Sequence, residues 1–151
     1  MHRPLFRTAL AVAAAALLGG CPPPAPTPMT DATPRAAAGP LVSSLQVQPS
    51  RDSVRLVLQV TNAASTPLEI AFSSGQSYDF GVRAGDRDLW RWSADKGFIQ
   101  MVRQETLAPG ETRTYAETWT PPPGVSGELT ATAWLTSSTH PVERTTVFRL
   151  P

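Results

Sequence analysis

Between Arg55 and Leu150 the chain repeatedly alternates apolar and polar residues with a period of two, the pattern of a strand that buries one face. "RLVLQVT" (55–61) puts Leu56, Leu58 and Val60 on one face, and "LEIAF" (68–72) does so with Leu68, Ile70 and Phe72. Alternation predicts further strands at "YDFGV" (78–82), "RDLWRW" (87–92), "TRTYAETW" (112–119), "ELTATAWL" (128–135) and "VERTTVFRL" (142–150). Turn-forming residues lie between them: "NAASTP", read as the turn joining the first two strands, then "SSGQS", "RAGD", "LAPGE", "PPPGVSG" and "SSTHP". A helical period never persists for three turns. The pattern predicts an all-β domain, an antiparallel immunoglobulin-like β-sandwich of about seven to nine strands, with a partly closed barrel as the alternative. One strand fits poorly: strict alternation gives Tyr115, Glu117 and Trp119 a common face, so either a bulge re-aims Glu117 or the glutamate sits at the rim.

Upstream of these strands the pattern changes. "MHRPLFRTALAVAAAALLGGC" has a basic start at Arg3 and Arg7 and an apolar run from Thr8 to Leu18 that ends in small residues, which predicts an export signal too short to span a bilayer. "LLGGC" resembles a bacterial lipobox, which implies diacylglycerol on the Cys21 thiol and cleavage before it. Cysteine usage agrees, because an exported chain with one cysteine has no disulfide partner. Residues 22–40, "PPPAPTPMTDATPRAAAGP", hold seven prolines and little that could form a core, so they read as an extended spacer. The predicted organisation is a signal peptide (1–20), a proline-rich tether (21–40) and one β domain (41–151), anchored by lipid to the bacterial cell membrane or outer membrane.

Charge and chemistry narrow the function. The whole chain carries 13 basic and 12 acidic residues; loss of Arg3 and Arg7 would leave 11 against 12, a near-neutral balance that argues against a nucleic-acid partner. His140 is the histidine left after processing and precedes a proline in a polar turn, with no nucleophile motif beside it. Asp86 and Asp88 flank Arg87, too few oxygens for calcium. The sequence therefore predicts neither an enzyme, nor a metal site, nor a cofactor, and binding is the default function.

Several short motifs occur in one order: Asn62 after a strand, "FSSGQSYDF" (72–80), "WRWS" (90–93), "FIQ" (98–100), "LAPGE" (107–111) and Trp119. Over about residues 54–135 this order resembles the BsuPI-type intracellular proteinase inhibitor domain. The resemblance implies an immunoglobulin-like β fold, with Asn62, Phe72, Tyr78, Phe80, Trp90, Trp92 and Trp119 as signature positions. It also implies inhibition of a subtilisin-like serine proteinase by a loop entering the active-site cleft. "YDF" and "WRW" then form a hairpin with "RAGDRD" at its tip, stacking Tyr78 and Phe80 across from Trp90 and Trp92 in the core, with Trp134 as a surface aromatic. Two loops are candidates for the contact: one offers Lys96, Gly97 and Phe98 with an exposed basic side chain, and the other offers Pro121, Pro122 and Pro123 with stiffness. The competing reading is a non-inhibitory envelope module that binds, adheres or supports assembly. The anchor is testable by detergent phase partitioning: the chain is expected with membranes and Cys21→Ser in the aqueous phase, and a soluble wild type with an unmodified thiol contradicts it.

Overall fold

A computed structural model describes residues 39–151, so the predicted signal peptide, Cys21 and nearly all of the tether lie outside the described residues. Nine strands follow in order: β1 (Leu41–Pro49), β2 (Val54–Asn62), β3 (Leu68–Phe72), β4 (Tyr78–Ala84), β5 (Arg87–Arg91), β6 (Arg103–Leu107), β7 (Thr112–Trp119), β8 (Gly127–Leu135) and β9 (Val142–Leu150). They form a three-stranded sheet β1-β2-β7, a four-stranded sheet β5-β4-β8-β9 and a ribbon β3-β6, all paired antiparallel. This is the predicted β-sandwich. Two strands escape the sequence reading. β1 alternates in burial, but its exposed positions and Ser43 dilute the apolar signal, and β6 carries only Leu107 as a buried residue. The turn after Asn62 does not join paired strands either; it carries the chain out of the first sheet to β3, whose partner is β6.

The core lies between the two larger sheets. Val54, Leu56, Leu58 and Val60 of β2 face Phe80 and Val82 of β4 and Leu129, Ala131, Ala133 and Leu135 of β8, with Ile70, Phe72, Leu107, Trp119 and Leu150 closing the ends. β2 and β8 are central strands, which is why their inward positions are fully buried. One flank of the sandwich is closed where β1 meets β9, with Arg144 Nε donating to the Ser43 carbonyl at 3.2 Å.

The opposite flank lies between β5 and β7, and aromatic side chains fill it. A turn at Gly85, whose φ is +56°, joins β4 to β5, and the register then slips by one residue between Val82 and Arg83. Arg83 opposes Asp88, Val82 opposes Trp90 and Gly81 opposes Arg91, leaving Leu89 as the extra residue. Without that bulge Trp90 would share the outer face with Gly81; with it Trp90 turns inward. The stacking differs from the expected pairing. Trp92 lies on Tyr78 at 4.4 Å between ring centroids, whereas Trp90 lies on Trp119 of the other sheet at 6.4 Å. Both Trp90 and Trp92 are half-buried and packed on the core rather than enclosed in it, while Phe72, Phe80 and Trp119 are buried. Trp134 is half-buried on the outer face, its ring over Gly81 and under the Arg91 guanidinium at 4.2 Å.

Trp119→Ala or Phe80→Ala should therefore cost about 3 to 5 kcal/mol in denaturant unfolding. Trp90→Ala and Trp92→Ala should cost less, because part of each ring is already in water. Val147→Ala, at an exposed site on β9, should stay within about 0.5 kcal/mol.

Candidate functional site

The strand ends near Asn62, Tyr78, Arg91 and Leu135 gather the turns around 63–67, 73–77, 92–102, 108–111 and 136–141 at one end of the sandwich. Two buried polar side chains organise it. Asn62, fully buried, donates through Nδ2 to the carbonyls of Thr66 and Leu107, both at 2.9 Å, and accepts from the Ala64 amide at 2.9 Å. Its backbone carbonyl accepts from Gly110 and its amide donates to Glu111, so the asparagine ties the turn after β2 to the "LAPGE" turn.

Asp79 is the second. It lies on the outer side of β4, 2% exposed. It accepts from Arg91 Nε at 2.7 Å, from Ser93 Oγ at 2.7 Å, from the Ser93 amide at 3.2 Å and from the Phe80 amide at 2.9 Å. A carboxylate held out of water needs such compensation. The polar residues of "YDF" and "WRWS" thus bind each other, a role that their alternation with aromatics concealed.

The loop that leaves Ser93 carries the densest group of exposed large apolar side chains among the described residues. Ile99 is 67% exposed, Met101 52% and Val102 75%, three large apolar side chains within four residues. These residues were missed by the sequence reading, which stopped at Phe98; the signal was the lack of any polar side chain at 98, 99, 101 and 102 in a stretch with no strand period. Lys96 is exposed, as its type suggests, and its side chain lies back along the loop. Its Nζ lies 4.9 Å over the Trp92 ring, 3.7 Å from Asp95, and Phe98 turns back to the same ring at 5.8 Å. Gly97 has open space around it.

Residues 121–123 are at the opposite end of the sandwich, beyond Trp119. Pro122 and Pro123 are exposed and Pro121 half-buried, lining a cleft of about 340 Å³ with Arg51, Asp52 and Leu150. His140 is half-buried, and the Ser137 hydroxyl nearest its backbone donates to the Ala71 carbonyl at 3.0 Å, so that hydroxyl is engaged. Asp86 and Asp88 are exposed and both approach Arg83, at 4.0 and 3.0 Å.

At the β5–β7 flank, Glu117 settles its own question: β2 and β7 pair without a bulge, Leu56 opposite Glu117, and the glutamate sits at the rim accepting from the Tyr78 hydroxyl at 2.6 Å. Burial, then the Glu117 hydrogen bond and charge, push the Tyr78 phenol well above its ordinary value; burial does the same to Tyr115, 4.8 Å away. A raised folded-state value means that the unfolded chain loses its protons first, so stability should hold below about pH 10 and fall as pH rises beyond it. Melting temperatures across pH 8–11 should show that decline, shallower in Tyr78→Phe.

Comparison with known proteins follows this geometry. A model of the family described as intracellular proteinase inhibitor, BsuPI, matches residues 41–140, which contain the 93–102 loop and the turns around it up to His140. No curated protein matches the chain. Among solved structures, the chain is similar to the sporulation control protein Spo0M of Bacillus subtilis, at 16% identity and TM-score 0.43, over 75% of this chain and 49% of that one. It is also similar to a β-glucosidase of Erythrobacter marinus, at 14% identity and TM-score 0.41, over 74% of this chain and 15% of that one. A β-glucosidase of Kluyveromyces marxianus follows, at 12% identity and TM-score 0.41, over 74% and 14%. The chain thus spans about half of the first and a small part of the other two.

Proposed function

The chain belongs to the intracellular proteinase inhibitor family, and from that premise we propose that its β domain binds and blocks a serine proteinase of the subtilisin-like kind through the loop at 93–102. The observation that carries this is the projecting trio Ile99, Met101 and Val102 on a loop whose neighbours fold back onto Trp92. A proteinase cleft recognises a protruding extended segment by side chains that fill apolar subsites, and binding is strongest when little ordering is needed. The absence of a charged side chain among the three favours an enzyme with apolar subsites over one selecting lysine or arginine. The loop at 120–127 is the weaker candidate, because it exposes no cluster of large apolar side chains like that at 99–102.

The family name places its founding inhibitor inside the cell, whereas "LLGGC" and the tether favour export of this chain and attachment through Cys21. The proposed target is accordingly an enzyme that reaches the envelope, and the domain would guard the membrane surface to which it is tethered. The test is titration of the purified chain against subtilisin and trypsin, following residual activity. Stoichiometric inhibition of subtilisin is expected, reduced at least tenfold by Met101→Glu or Ile99→Ser and unaffected by Pro122→Ala. No inhibition at micromolar chain would instead favour a non-inhibitory envelope module.

A further inference from the structure

Residues 74–79, the "SGQSYD" stretch, touch the 93–102 loop at its start, its middle and its end. Asp79 holds the start through Arg91 and Ser93. Tyr78 supports the middle, since Trp92 stacks on it at 4.4 Å and carries Lys96 and Phe98 on its other contacts. Gly75 holds the end: its amide donates to the Ile99 carbonyl at 2.8 Å. One residue beyond the loop, Arg103 donates to the Ser74 carbonyl at 3.3 Å and to the Ser77 hydroxyl. The approach at Gly75 is close. A Cβ there would stand 3.1 Å from Ile99 Cγ1, tighter than side chains normally pack, and 3.6 Å from the Ile99 amide nitrogen, an ordinary contact, so a methyl at 75 would have to push the Ile99 side chain aside.

We propose that Gly75 and Asp79 are positioning residues for the binding loop, holding its two ends on one short segment so that Ile99, Met101 and Val102 are presented in a single arrangement. The inference rests on the loop reading above. Neither residue need touch the partner; they act through the loop. Because apparent affinity falls with the fraction of molecules in the competent arrangement, releasing either end weakens binding without removing a contact, and a loop docked about a tenth of the time binds about tenfold more weakly.

The experiment uses the full chain with two readouts: amide hydrogen exchange over 96–102, and the inhibition constant against subtilisin. Gly75→Ala and Asp79→Asn are each expected to speed exchange in that segment about tenfold, leave β2 and β8 protected, and raise the inhibition constant about tenfold. Adding Ile99→Ala to Gly75→Ala removes the atom that the new methyl meets, and should restore slow exchange; Val147→Ala should change neither readout. Should Asp79→Asn fail to fold, the Gly75 pair carries the test. Unchanged exchange at 96–102 in Gly75→Ala, or faster exchange with an unchanged inhibition constant, overturns the proposal. Faster exchange in the variants of a wild type that never inhibits subtilisin supports the positioning of the loop and overturns subtilisin-like proteinase as its partner.

Discussion

A carboxylate on the outer side of a β-strand normally points into water; Asp79 does not, and the functional end of the molecule follows from how its burial is compensated. Leaving such a charge unpaired in a protein interior costs several kcal/mol, so its two oxygens demand donors, and four are supplied from Phe80, Arg91 and Ser93. Three of the four come from the far side of a hairpin whose register has already slipped by one residue. The carboxylate therefore requires the bulge, since Arg91 must stand opposite Gly81 to reach it. Arg91 in turn lies flat on Trp134, and Trp134 needs the space that Gly81 leaves, with ring atoms 3.2 Å from where a Cβ would sit.

The same bulge solves a problem of closure. A sandwich without the inter-sheet disulfide of antibody domains must hold its open flanks by side-chain contacts, and the β5–β7 side has no backbone pairing across it. Turning Trp90 inward brings it onto Trp119, and placing Trp92 just past the strand brings it onto Tyr78, which bonds Glu117 across the gap. Aromatic rings are suited to a rim because one side can pack on the core while the other stays wet. The flank is thus both a structural seal and the wall on which the protruding loop rests.

How legible this was depends on the kind of signal. Strands with buried inner faces, such as β2 and β8, announced themselves by alternation, and from them the sandwich followed. β1 and β6 did not, because a strand that buries few residues has almost no periodic signature. The aromatic residues were recognised as a cluster, but their pairing was not, since a single-residue bulge shifts every cross-strand partner beyond it and leaves no mark in composition. In the 93–102 loop, Lys96 is exposed as its type suggests, but its position over Trp92 and the exposure of Ile99, Met101 and Val102 are set by contacts through space that the sequence does not display. Asp79, Gly75 and Ser93 were invisible as a group because their link runs through space between segments that look separate along the chain.

The geometry also bears on how the anchored inhibitor proposed above would work. Leu41, where the domain's first strand begins, pairs with Asn62, at the same end of the sandwich as the 93–102 loop, and the proline loop at 121–123 lies at the other. The described residues thus begin at the end of the sandwich that carries the proposed binding loop. Restricting a binding element to a thin layer raises its effective concentration there, which lets modest intrinsic affinity suffice for enzymes working in that layer while leaving those in bulk solution largely free.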